Sequence, residues 1–115
     1  MVQVGIQAAN AVYPVRLLLD TGADCTMVPK SLGELAGVDF SRLRATTVTG
    51  VEGRGVNAYF GTIRLRIAEF VLPPIPCLFG ASERTPLLLG REGFFDLFDV
   101  AFDNRRKKVV LTRLF

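Results

Sequence analysis

Asp20-Thr21-Gly22-Ala23-Asp24 stands between the apolar run Val15-Arg16-Leu17-Leu18-Leu19 and the segment Cys25-Thr26-Met27-Val28-Pro29. A carboxylate at the exit of a buried strand, followed by a small hydroxyl residue and a glycine, is suited to the floor of a cleft. There it is placed to activate water. Asp-Thr-Gly occurs once in the chain, and that single copy shapes every functional reading below.

The 115 residues around it form one domain, 1–115, long enough to bury a real core. Half of the residues are apolar and the mean hydropathy is +0.35, so disorder is not expected. The longest apolar runs, Leu17 to Leu19 and Leu87 to Leu89, are far too short to cross a bilayer, and no membrane partner is expected. Met1 to Gln7 lacks the basic start and apolar block of a secretory signal. Cys25 and Cys77 both sit among apolar neighbours, which reads as two buried free thiols in a reducing compartment. A cytoplasmic location is the resulting expectation.

The chain has no histidine and no CxxC. Ser-His-Asp and Cys-His nucleophiles and most zinc chemistries are thereby removed. Any enzyme built here takes its acids and bases from carboxylates, Lys, Tyr or Cys. The net charge of +3 owes much to Arg105-Arg106-Lys107-Lys108. Such a cluster can touch phosphates. However, Asp103-Asn104 before it and Val109-Val110-Leu111 after it favour a solvated hairpin turn, and nucleic acid is not an expected partner.

Glycine and proline punctuate the chain about every ten residues, with β-branched and aromatic residues between, which is an all-β pattern. Strands are predicted over 2–7, 12–19, 44–49, 57–67 and 75–79. Leu87-Leu88-Leu89-Gly90 reads as a buried strand. Ser31 to Ala36 reads as a short helix closed by Gly37, and Glu92 to Phe98 as a second helix. Residues 99–102 and 109–114 would form a closing hairpin. Gly50-Val51-Glu52-Gly53-Arg54-Gly55, with three glycines in six residues, would be a mobile hairpin tip. No internal repeat or linker is evident.

Asp-Thr-Gly alone is a weak signal, since a strand-to-turn cap uses the same residues. Together with Ala23-Asp24, Thr26, the glycine-rich hairpin 50–55 and Leu88-Leu89-Gly90-Arg91, the chain resembles the retropepsin-like aspartic proteases from Val2 to about Phe98. The resemblance implies an all-β acid-protease barrel with one or two short helices, active as a two-fold homodimer. It implies a catalytic pair made by Asp20 from each subunit, because two carboxylates facing one water share a single proton and titrate as a unit. It further implies that Thr21 and Gly22 support the active-site loop and that Ala23 lines the cleft. Gly50 to Gly55 would be the flap over the substrate, and Asp24 and Arg91 would pair beside the dimer interface. A semi-buried pair of this kind would cost about 3–5 kcal/mol to break.

Glu52 and Arg54 depart from the mostly apolar retroviral flap, and Glu92 follows the arginine. The ends depart as well. Val2 already aligns with the first hairpin, so the N-terminal dimer strand is missing, and 24 residues follow Arg91. Residues 100–102 and 109–114 are therefore expected to build the dimer sheet. Substrate would be an extended peptide with apolar side chains around the cut bond. No metal or organic cofactor is implied, because water is the nucleophile. Two other readings stand beside the enzyme: a non-catalytic dimerisation or peptide-binding module on the same fold, and a nucleic-acid-binding β-barrel resting on 105–108 alone.

Overall fold

The computed structural model describes residues 1–49 and 55–115. Strand β1 (Val2–Gln7) alternates inward Val4 and Ile6 with outward Gln3, the period of a half-buried strand. It pairs antiparallel with β2 (Val12–Leu19) through a tight turn closed by the Ala8 N–H on the Ala11 carbonyl at 2.9 Å. The chain then passes through the Asp20 loop into β3 (Thr26–Pro29) and α1 (Lys30–Leu35), followed by a 3-10 turn at Phe40–Arg42.

Helix α1 ends on Gly37 at φ +86, with Val38 N–H on the Gly33 carbonyl and Gly37 N–H on the Glu34 carbonyl. This is a Schellman closure, and the left-handed position explains the glycine.

Next come β4 (Arg44–Thr49), β5 (Gly55–Ile63), β6 (Leu65–Ile67), β7 (Phe70–Val71), β8 (Ile75–Gly80) and β9 (Leu88–Leu89). These strands form one nine-stranded sheet in the order β4-β5-β8-β3-β9-β2-β1-β6-β7. The pairs β2–β9 and β3–β8 are parallel. The side chains turned inward make the core, centred on Leu17, Val28, Leu65, Leu72, Cys77, Phe79, Leu89 and Phe94. A separate two-stranded ribbon, β10 (Phe98–Asp103) and β11 (Lys108–Arg113), closes the described chain. No helix among the described residues is long and apolar enough to cross a membrane.

The all-β expectation holds, and the local departures have physical causes. The expected strand 57–67 is divided. Arg64 falls out of the ladder and its carbonyl accepts from Gln7 N–H at 2.9 Å, which hands the chain from β8's neighbourhood to β1's. The helix expected over 92–98 is instead a run of turns over 92–97, and Phe98 already opens β10. Gly93 sits at φ +78, and a Cβ there would come within 2.9 Å of Ile75, so the backbone turns against the sheet and drops Phe94 fully into the core.

The short strands β3 and β7 are additions to the sequence reading. The basic cluster 105–108 forms the ribbon's turn, with Lys107 at φ +53 and Arg106 N–H on Asp103 Oδ1 at 3.1 Å. Both cysteines are free. Cys77 is buried as expected, but Cys25 is only half-buried.

Candidate active site

The Asp20 loop is held from both sides by backbone. Leu18 N–H donates to the Leu87 carbonyl and Asp20 N–H to the Leu89 carbonyl (3.0 Å), so Asp20 continues the parallel ladder of β2 on β9. On the far side, Arg91 N–H donates to the Ala23 carbonyl (3.0 Å) and Glu92 N–H to the Asp24 carbonyl (2.8 Å). Within the loop, Ala23 N–H reaches the Asp20 carbonyl and Gly22 N–H donates to Asp20 Oδ1 at 2.9 Å. The Asp20 carboxylate therefore has one oxygen bonded to its own loop. Asp20 itself is half-buried, and Thr21 and Gly22 are exposed on the single chain.

Gly90 has a steric role. A Cβ there would lie 2.4 Å from the Cys25 carbonyl carbon, so only glycine lets the end of β9 meet the 25–26 backbone. Its N–H donates to the buried Thr26 Oγ1 at 3.1 Å, which satisfies a hydroxyl that is otherwise enclosed. The Leu-Leu-Gly-Arg segment thus acts as the clamp on the Asp20 loop.

Arg91 and Asp24 meet as an ion pair, Nη2 to Oδ1. In the single chain their side chains are 54% and 70% exposed, a surface pair on the protomer taken alone. Solvent screening holds such a pair to about 1 kcal/mol or less. Glu92 does not take Arg91 from Asp24; its side chain is exposed.

The strand registers reveal a feature that the sequence concealed. Leu18 pairs with Leu88, Leu88 with Met27, Met27 with Leu78, and Leu78 with Phe60, in one line across five strands. Paired residues share a face, so these five side chains form a row opposite the core side of the sheet. Leu18 is 48% and Phe60 43% exposed, whereas Leu17 and Phe79 on the core side are sealed. Asp20 lies two residues beyond Leu18 in the same ladder and so shares that face. The carboxylate thus stands at one end of an open apolar floor. No periodicity singles out Leu18 within Leu17-Leu18-Leu19, and only the pairing does.

The cysteines lend no nucleophile. Burial pushes the Cys25 thiol up from 9.0 to about 11, and the Glu92 and Asp24 charges add to the rise. Burial pushes Cys77 higher still. Both remain thiols at neutral pH. Of the expected flap, Gly50, Val51, Glu52, Gly53 and Arg54 lie outside the described residues, and Gly55 opens β5 opposite Thr49. Among the described residues no cluster of three or more His, Cys, Asp or Glu side chains is arranged to hold a metal ion.

An all-β sheet whose one aspartate loop is clamped beneath a glycine-arginine turn, with an apolar floor beside it, has the build of an acid protease. A family model described as aspartyl protease, within the retropepsin-like clan, matches residues 2–92, and the chain belongs to that family. Searches of curated proteins and of solved structures gave no significant match.

Proposed function

We propose that this chain is an aspartic endopeptidase that works as a homodimer, with Asp20 of each subunit facing one water. The observation that carries the reading is the placement of Asp20, on a doubly clamped loop and two residues beyond the Leu18 end of the apolar row Leu18-Leu88-Met27-Leu78-Phe60. Family membership supports peptide hydrolysis in general terms. One Asp-Thr-Gly per chain supports pairing, since acid catalysis at an amide needs both a base toward water and an acid toward the carbonyl oxygen.

In the proposed mechanism the pair of carboxylates holds one proton. The ionised member takes a proton from the water as it attacks the scissile carbonyl carbon. The protonated member gives its proton to the carbonyl oxygen, forming a neutral tetrahedral diol. Collapse of the diol returns a proton to the leaving nitrogen, breaks the C–N bond and restores the singly protonated pair. Gly22 N–H fixes the rotamer of Asp20, which would otherwise lose orientation. Thr21 is exposed on the single chain, where its hydroxyl is free to bond across the two-fold axis. The apolar row favours an extended peptide with apolar side chains flanking the cut. Substrate closure would fall to the 50–55 hairpin. The ribbon of β10 and β11 would supply the dimer sheet.

The deciding experiment incubates the purified chain with a diverse peptide library from about pH 3 to pH 8 beside Asp20→Asn and Asp20→Ala. Cleavage by the wild type alone, strongest in the mildly acidic range, is expected. A wild type shown to be dimeric that cuts nothing would instead identify a peptide-binding module.

A further inference from the structure

The outer face of β1, β2 and β6 bears a groove that the reaction proposed above leaves unused. About 400 Å³ in volume, it runs over Gly5, with Val12 and Pro14 of β2 on one side and Arg66 and Ala68 on the other. Gly5 pairs with Pro14 and with Arg66, and Gln3 pairs with Arg16. These residues therefore share one face, opposite the inward Val4, Ile6 and Leu65. Gly5 keeps the floor open, since a Cβ there would run into Val12 Cγ1 and stand 3.5 Å from Arg66 Cβ. We propose that this groove docks an acidic, extended peptide segment through Arg66 and Arg16. That the segment belongs to the substrate rests on the endopeptidase reading; the docking itself does not.

Charge decides the occupant. Strands β1, β2 and β6 contain no Asp or Glu. Arg42, Arg91 and Arg106 each have a carboxylate partner, in Asp39, Asp24 and Asp103. Arg44, Arg84 and Arg105 have none among the described residues, but they stand singly on separate elements. Arg16 and Arg66 have none among the described residues either, yet they stand at one groove. Exposed Arg64 adjoins it, its carbonyl accepting from Gln7 N–H. Exposed Glu69, in the turn after β6, does not pair with Arg66. Arg66 Nε donates to the Ala68 carbonyl at 3.2 Å, which steadies the guanidinium and leaves its terminal nitrogens for an incoming carboxylate.

The groove is continuous with the proposed cleft. On β2, Arg16, Leu18 and Asp20 are alternate residues of one face, so groove and apolar floor belong to a single surface. Pro14 precedes Asp20 by six positions, roughly 20 Å at about 3.3 Å per residue. A peptide cut at Asp20 thus reaches the groove with about six extended residues. Nucleic acid fits this face less well. Tyr13, the one aromatic residue of these three strands, is turned inward beside Ile6 and offers no ring to a base.

The test measures binding to the full chain by fluorescence anisotropy at about 50 mM NaCl. The probe is a labelled peptide of alternating Glu and Ser, about twelve residues long, beside the matching Gln-Ser peptide and an oligo-dT of similar length. The Glu peptide should bind at least about tenfold tighter than the Gln peptide. Arg66→Glu and Arg16→Glu should each raise its Kd by about fivefold or more, and the milder Arg66→Gln by about threefold, with far-UV circular dichroism unchanged. Arg105→Glu, the same charge change on the ribbon's turn, should leave Kd within about twofold. An equal loss from Arg105→Glu, an equally tight Gln peptide, or an oligo-dT held as tightly by the same two arginines overturns the inference. Each of those results leaves cleavage by Asp20 standing. Conversely, a chain that cuts nothing but holds the acidic peptide through Arg66 keeps the groove and loses only the endopeptidase reading. Placed about six residues from a bond that the chain cuts, the Glu tract should lower KM by about fivefold with kcat unchanged, an effect lost in Arg66→Glu. An unchanged KM would remove the substrate from the groove.

Discussion

Asp20, Gly90 and Arg91 make unequal demands on the chain. Asp20→Asn keeps the loop's shape but removes the shared proton, and peptide cleavage should fall by roughly a thousandfold or more with little change in the urea midpoint. Gly90→Ala drives a methyl group into the Cys25 carbonyl, backbone against backbone, where neither partner can rotate away. A loss of about 1–3 kcal/mol in urea unfolding is expected. Arg91→Ala should cost the single chain about 1 kcal/mol or less, because its pair with Asp24 is exposed; a loss above about 3 kcal/mol in the monomer would contradict that exposure.

Cys25 supplies a pH signature. Burial, aided by the charges of Glu92 and Asp24, raises its folded value from 9.0 to about 11. The native state therefore keeps its proton longer than the unfolded chain does. This contribution is fully present below pH 9 and drains away as pH climbs toward 11. Stability measured across that window should decline less steeply in Cys25→Ser.

At the scale of elements, most strands could be read from the sequence because their alternation survives in the structure: Val4 and Ile6 inward, Gln3 outward. Periodicity misled at 92–98, where Phe94, Phe95 and Phe98 look like one face of a helix. Gly93 there sits at φ +78, and a Cβ on it would come within 2.9 Å of Ile75, neither of which the apolar spacing reveals. Gly93→Ala should therefore destabilise the chain by about 1–3 kcal/mol and add no helical signal in circular dichroism, although alanine is the better helix former. The 57–67 run misled for a different reason. It is continuous in pattern, yet its two halves bond to strands at opposite sides of the sheet order, and the Arg64 carbonyl is taken by Gln7.

Across the whole molecule, the proposed catalytic pair makes activity a matter of mass action. Specific activity should rise with protein concentration and level off once dimers dominate. Phe102→Ser should weaken the dimer without harming the monomer, since Phe102 is 59% exposed on the single chain. An equally stable, fully active Phe102→Ser dimer would remove the ribbon from the interface.

The aspartate loop, the all-β class, the terminal helix stop at Gly37 and the closing hairpin were all legible in the order of residues. Each depends on local backbone preference or on alternation between near neighbours. The apolar row from Leu18 to Phe60, the necessity of glycine at position 90 and the exposure of the Asp24–Arg91 pair were not. They arise where distant segments meet, and which distant residues meet is set by strand register and packing, for which sequence spacing carries no local signal.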